Sequence, residues 1–101
     1  MGWSKHDWEK LVKRLASESG QIIWTEHAKQ QMRKRHISFS MATDALQRGI
    51  IRMEPERDIK TGDTVCRMER YCAGESICIC VALESEQATE CIVVTAINLG
   101  D

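Results

Sequence analysis

A short segment of the sequence combines a histidine with a run of cations. The stretch from His27 to Thr43 has no acidic residue and carries four cations, which are Lys29, Arg33, Lys34 and Arg35. It follows Thr25, a residue type that often begins a helix. This charge bias indicates a partner that carries phosphate or carboxylate groups. The competing interpretation for Arg33 and Lys34 is a solvated helix face.

His27 and Arg35 each have a structural interpretation beside any functional one. A histidine in the first turn of a helix can hydrogen-bond to a neighbouring strand and fix the corner between helix and sheet. A cation at a helix C-terminus, such as Arg35, is favoured by the helix macrodipole by about 0.3–1 kcal/mol. Arg35 can also pair with a carboxylate of the sheet, such as Glu54 or Glu69. The sequence leaves these alternatives open.

The five cysteines form the second group of reactive side chains, and all lie in the second half of the chain: Cys66, Cys72, Cys78, Cys80 and Cys91. Their number is odd and no secretion signal precedes them, so a disulfide framework is not expected. Cys78 and Cys80 are separated by one residue, whereas zinc ligands favour two to four intervening residues. We therefore expect structural thiols, no metal and no cofactor, with a metal or redox site at Cys78 and Cys80 as the alternative.

Charge is distributed unevenly along the chain, although the formal net charge is only −1. Residues 1–52 carry ten Lys and Arg against five Asp and Glu, whereas residues 53–101 carry four against ten. The first half could face an anion while the second faces solvent or a basic partner. Charge scattered over two solvated faces is the alternative.

Length and composition indicate one globular domain, residues 1–101, of ordinary hydrophobic content (43%). No apolar run approaches the roughly 20 residues needed to span a bilayer. The first residues lack the apolar region of a signal peptide. We therefore expect a cytoplasmic protein. Trp3 precedes the first helix, and an exposed tryptophan there would indicate a protein interface.

The spacing of apolar residues predicts three helices followed by a sheet. The helices run from Ser4 or Asp7 to about Ser17, with a stop at Gly20, from Thr25 to about Arg35, and from Ser38 or Ser40 to Gly49. A period of two from Ile50 onward predicts strands near 50–57, 64–72, 76–84 and 91–97. The expected fold is α+β, with a helical part over about 1–49 packed on a four- to five-stranded antiparallel meander over about 50–98. An edge strand at residues 21–24 is part of this prediction.

Residues 20–97 resemble a known bacterial family. The pattern T-x-H-A-x-x-x-M-x-x-R-x-I, then a short helix and G-I-I, is matched by Thr25, His27, Ala28, Met32, Arg35, Ile37, Gly49 and Ile50. It resembles a family of domains of unknown function that groups with the RelE-like, BrnT-like and MqsR-like toxins of toxin–antitoxin systems. The family commonly has arginine where this chain has Gln31, and glycine where this chain has His36.

This resemblance implies a ribonuclease that cuts messenger RNA without a metal, through attack of the ribose 2′-hydroxyl on the adjacent phosphate. Such chemistry needs proton-transfer groups and cations that hold the charge of the phosphorane. His27 and Arg35 would be catalytic. The phosphate-positioning residues would be Lys29, Arg33, Lys34, Arg67 and Arg70, and Tyr71 could stack on a base. The implied partners are RNA and a cognate antitoxin. We also consider a homodimer and expect no membrane partner.

Two other classes of function compete with a toxin-like ribonuclease. A non-catalytic module would use the basic helix to hold a nucleic acid or a protein, with no proton-transfer group in its binding patch. A thiol-based metal or redox protein would need Cys78 and Cys80 paired and exposed on one face. The ribonuclease hypothesis predicts that His27 and Arg35 converge on one cleft with basic walls.

Overall fold

The computed structural model describes residues 2–18, 21–72 and 74–100. In these residues the chain forms three helices and six strands. In chain order these are α1 (Lys5–Ser17), β1 (Ile22–Trp24), α2 (Glu26–Lys34), α3 (Phe39–Arg48), β2 (Ile50–Ile51), β3 (Glu56–Arg57), β4 (Thr64–Cys72), β5 (Glu75–Leu83) and β6 (Cys91–Asn98). The fold is α+β, as the sequence predicts.

Each helix begins at a hydroxyl side chain that caps its first turn. Ser4, Thr25 and Ser38 accept hydrogen bonds from the backbone N–H groups three residues later. These bonds satisfy backbone donors that have no partner inside the helix. The predicted helix starts are therefore confirmed. α1 ends at Ser17, and the predicted stop at Gly20 lies outside the described residues.

α2 ends in a left-handed residue, His36, whose φ is +58°. The N–H of Ile37 donates to the carbonyl of Met32 at 2.8 Å, and the N–H of His36 donates to that of Arg33 at 3.3 Å. This pair of bonds is the Schellman arrangement, which favours glycine at the left-handed position. Ile37 and Met32 are both buried in the core and close the turn. The position of His36 is thus one where glycine would relieve backbone strain.

The strands form one mixed sheet in the order β1-β6-β5-β4-β2, with β3 also paired to β4. β1 lies parallel to β6, whereas all other described pairs are antiparallel. The edge position expected for residues 21–24 is confirmed, but the purely antiparallel meander is wrong. The pairing of β1 with the last strand joins segments about 70 residues apart. The pattern within each strand does not encode such a pairing.

The strand predicted over 50–57 is also wrong, because it is divided into β2 and β3 with residues 52–55 between them. Pro55 lies in that interval, and proline has no N–H to donate to a neighbouring strand. The interruption gives the chain room to turn between its two contacts with β4.

The helices pack on one face of the sheet and build the core there. α2 packs against β6, α3 against β4 and β5, and α1 against α3. Met68, Ile77 and Ile79 of the sheet join Leu15 and Leu46 of the helices in one buried cluster. The alternating residues of β4 and β5 point to the second face of the sheet. Among the described residues, no helix is long and apolar enough to cross a lipid bilayer.

Candidate nucleic-acid interface

A cleft with three arginines lies where the end of β4 and the start of β5 meet the short strand β2. Its volume is about 210 Å³. It is lined by Arg48, Ile50, Arg52, Glu69, Arg70, Tyr71, Ser76 and Leu99. We call it the arginine cleft. The end of α3, the β2 segment, the last residues of β4 and the start of β5 therefore all contribute to it.

Asp44 of α3 orients two of the three arginines. Its Oδ2 accepts from Nε of Arg70 at 2.9 Å, and its Oδ1 lies 3.6 Å from Nε of Arg48. Arg48 lies one helical turn after Asp44, so α3 itself presents both groups to β4. Each guanidinium has five N–H donors and uses only part of them in these contacts. The remaining donors can bind phosphate oxygens.

The third arginine is held by the sheet. Nε of Arg52 lies 3.2 Å from Oε1 of Glu69, and Ile50 pairs with Glu69 across β2 and β4. Three guanidinium groups thus face two carboxylates, which leaves an excess of one positive charge. Partly paired arginines are held in place by their carboxylates, and their charge still attracts an anion.

Tyr71 supplies the aromatic ring of the cleft. It is 69% exposed and lies opposite Ser76 in the pairing of β4 with β5. A phenol ring exposed beside cations can stack on a nucleobase while the cations hold the backbone. Two predicted RNA-contacting residues, Arg70 and Tyr71, therefore line the arginine cleft, from opposite faces of β4.

Sequence reasoning missed the other two arginines of the cleft. Arg48 and Arg52 flank the Gly49–Ile51 passage, which the pattern marks only as a helix stop followed by a strand. The available signal was the symmetric placement of two cations around that stop, within the basic half of the chain. A turn at Gly49 brings cations on both sides of it close together.

In the part of the chain that the structure describes, His27 and Arg35 lie at opposite ends of α2. His27 is exposed in the first turn of α2, and Arg35 is the residue that ends it. Eight residues of helix separate their Cα atoms by about 12 Å along the axis. Neither lines the arginine cleft. Nε of Arg35 donates to Oε1 of Gln31 at 3.3 Å, one turn earlier in the helix.

The other cations of α2 form a surface of their own. Lys29 lies 3.5 Å from Glu26 in an ion pair within the helix, whereas Arg33 and Lys34 are exposed. α2 packs on β6, and no residue of α2 lines the arginine cleft. The basic helix and the arginine cleft are therefore separate cationic surfaces.

Arg67 lies on the second face of the sheet, beside the cysteines of β5. It pairs across the strands with Cys80, and its Nη1 donates to Sδ of Met53 at 3.6 Å. Its Nε is buried without a hydrogen-bond partner in the described part of the chain. Arg67 thus does not join Arg70 in the arginine cleft.

Cys78 and Cys80 are buried beside this guanidinium. The Cys80 thiol and Arg67 lower the pKa of Cys78 to about 7, and the Cys78 interaction together with burial raises the pKa of Cys80. All five cysteines are free thiols. Within residues 2–18, 21–72 and 74–100, no three His, Cys, Asp or Glu side chains form a group that could hold a metal ion. The exposed thiol pair required by the redox hypothesis is not what the structure shows.

The fold and the cleft define a class: a small α+β domain with a cationic cleft at the edge of a mixed sheet. The chain belongs to the DUF4258 family, described as a domain of unknown function, whose model matches residues 24–98. This span runs from the end of β1 to the end of β6 and leaves α1 outside it. The predicted membership in a family of domains of unknown function is confirmed. Comparisons with curated proteins and with solved structures give no match.

Proposed function

We propose that this protein is a toxin-like, RNA-directed protein of a toxin–antitoxin system, and that it cleaves messenger RNA in the cytoplasm without a metal. The observation that carries the proposal is the arginine cleft, which Arg48, Arg52 and Arg70 line together with the exposed Tyr71. Cations beside an aromatic ring are what a single-stranded RNA backbone and an unstacked base need.

The cleft suits the charge changes of RNA cleavage. When the 2′-hydroxyl attacks the phosphate, the 2′ oxygen loses its proton, the new P–O bond forms, and the bond to the 5′ oxygen breaks as that oxygen gains a proton. Guanidinium groups already held by Asp44 and Glu69 can stabilise the extra negative charge without reorganising. Tyr71 has the hydroxyl that can exchange a proton at the edge of this cleft.

α2 contributes a second contact in the same proposal. Lys29, Arg33 and Lys34 would hold RNA phosphates outside the arginine cleft, as phosphate contacts position a chain without reading its sequence. His27 and Arg35 remain the predicted catalytic residues of that surface. Their roles can be separated from those of the cleft because the two surfaces share no residue.

A non-catalytic RNA-binding module is the second candidate, and one observation favours it. No imidazole lines the arginine cleft, and His27 stands about 12 Å along the helix axis from Arg35. A module of this kind would bind RNA through the same arginines and leave it intact. The antitoxin would then not be required.

Induced expression in a bacterial host separates the two candidates. We expect growth arrest with cleavage of messenger RNA, lost in the double variant Arg48→Gln/Arg52→Gln. The matched control is Arg14→Gln/Lys60→Gln, which removes the same charge from exposed positions outside the cleft. Circular dichroism confirms that each variant is folded. Normal growth with intact RNA at high expression would overturn the toxin proposal in favour of the binding module.

The same host assay assigns the role of α2. Loss of cleavage in His27→Ala or Arg35→Ala, with RNA binding and folding retained, would place the chemistry on the helix. Retained cleavage in both variants would place it at the arginine cleft. Cleavage by purified protein in excess EDTA tests the independence from metal.

A further inference from the structure

A second pocket, at the other end of β4, has the opposite character. Its volume is about 460 Å³, and its side chains include Trp3, Trp8, Glu54, Arg57, Glu84 and Glu86. We call it the acidic pocket. Thr64, which begins β4, also lines it, whereas Tyr71 near the end of that strand lines the arginine cleft. Seven residues of strand separate the two by about 24 Å.

Two tryptophans form the aromatic wall of the acidic pocket. The rings of Trp3 and Trp8 meet edge to face, with centroids 5.0 Å apart and planes at 63°. Trp8 belongs to the core, whereas Trp3 is 38% exposed. Trp8 therefore fixes the orientation of Trp3, and part of the Trp3 ring remains open to a ligand. A cation within about 6 Å of a tryptophan face is attracted by the ring.

Carboxylates surround this aromatic wall. Glu54 has a distant cation, Nζ of Lys5 at 4.0 Å. Glu84 and Glu86 are exposed and have no ion pair with any residue that the structure describes. Three carboxylates thus line the pocket against Arg57. A pocket with free carboxylates and an exposed indole is complementary to a cation.

The negative charge continues beyond the pocket along the adjoining loops. Exposed or half-buried carboxylates follow at Glu56 of β3 and at Asp58, Asp63 and Glu90 of the loops, with the exposed cation Lys60 among them. A single small cation would use only the pocket, whereas a chain with several cations would also use these neighbours. The extended charge therefore favours a peptide segment as the occupant.

We propose that the acidic pocket binds an arginine or lysine side chain from a basic segment of a protein partner. The cation would lie over the Trp3 ring and between Glu84 and Glu86, while further cations of the segment face the loop carboxylates. This inference does not rest on the proposed RNA chemistry, because the acidic pocket and the arginine cleft share no residue.

The probe is a short fluorescein-labelled peptide of alternating arginine and glycine, titrated with the full chain. Binding is read by anisotropy, and contact with the pocket by tryptophan fluorescence. We expect saturable binding with a change in tryptophan emission. Glu84→Gln/Glu86→Gln and Trp3→Leu should each weaken binding about fivefold or more. The control Glu18→Gln/Glu26→Gln removes the same charge from exposed positions just after α1 and at the start of α2, and it should bind as the wild type does.

Four results would overturn the proposal. An equal loss of peptide affinity in the control variant would mean that binding depends only on net charge. Unchanged tryptophan emission would mean that the peptide binds outside the acidic pocket. Binding of free argininamide as tightly as the peptide would identify a small-molecule site. Self-association of the wild type in analytical ultracentrifugation, lost in Glu84→Gln/Glu86→Gln, would identify a second copy as the occupant. The glutamate variant changes only exposed side chains, so it keeps the test valid if Trp3→Leu unfolds.

Discussion

Gly49 is the position where the fold leaves no space for a side chain, and Gly49→Ala tests that directly. Gly49 ends α3 with φ −73° and ψ 178°, values that any residue adopts. A Cβ there would collide with the carbonyl oxygen of Ala45 and lie 2.8 Å from that of Glu69. Both contacts are to backbone, which cannot rotate away. The added methyl must therefore push the end of α3 from β4.

The cost of this substitution follows from two opposing terms. Overpacking costs about 1–3 kcal/mol, and two backbone contacts place Gly49 at the upper end of that range. Alanine recovers about 0.4–1 kcal/mol by restricting the unfolded chain. We expect a net loss of about 2 kcal/mol, which lowers Tm by roughly 8–16 °C in a domain of this size.

Urea denaturation and calorimetry of Gly49→Ala measure this loss, with Gly62→Ala as the matched control. Gly62 has φ +79° and open space around its Cβ position, so alanine there meets only backbone strain, of about 1 kcal/mol. The reasoning predicts that Gly49→Ala is the more destabilised variant. A Gly49→Ala protein as stable as wild type, or more stable than Gly62→Ala, would refute the close approach of α3 to β4.

Three further predictions concern backbone strain, pH and RNA contact. His36→Gly should stabilise the protein by about 0.5 kcal/mol. Glycine removes the strain of the left-handed backbone, and the greater entropy of the unfolded glycine chain offsets part of that gain. A urea midpoint below that of the wild type would contradict this. Burial raises the pKa of Cys66 to about 12 and of Cys91 to about 11, above the ordinary 9.0. Neutral thiols are thus favoured by folding, so stability is full below pH 9 and falls as pH rises toward 11 to 12. The urea midpoint should fall less steeply with rising pH in Cys91→Ala than in the wild type. An equally steep fall in both proteins would contradict this effect of the buried thiol. Tyr71→Ala should weaken single-stranded RNA binding roughly tenfold, whereas Tyr71→Phe should keep it; equal anisotropy titrations for both variants would exclude stacking.

Local features of this fold could be predicted because their causes lie within a few residues. The caps at Ser4, Thr25 and Ser38 follow from a hydroxyl and the backbone three residues later. The alternation in β4 likewise marks which residues enter the core, whereas β5 is buried on both faces. The parallel pairing of β1 with β6 could not be predicted in the same way, because its partners are distant in sequence.

The arginine cleft shows the same limit at the level of a site. Arg70 and Tyr71 were predicted as RNA contacts from the pattern of one strand, whereas Arg48 and Arg52 join them in the cleft only through the turn at Gly49. The resemblance indicated α2, whose cations do not line the arginine cleft. The spacing of residues along the sequence predicts neither arrangement, because each depends on how the chain folds around the sheet.

The measurement that tests the central claim most directly is RNA binding by the purified protein across a range of salt concentrations. We predict that single-stranded RNA binds the wild type with a salt dependence that Arg48→Gln/Arg52→Gln reduces by about 1.4 in the log–log slope, which corresponds to two lost phosphate contacts. The control Arg14→Gln/Lys60→Gln should keep the wild-type slope. No RNA binding by the wild type, or identical slopes for both double variants, would contradict the assignment of the arginine cleft as an RNA site.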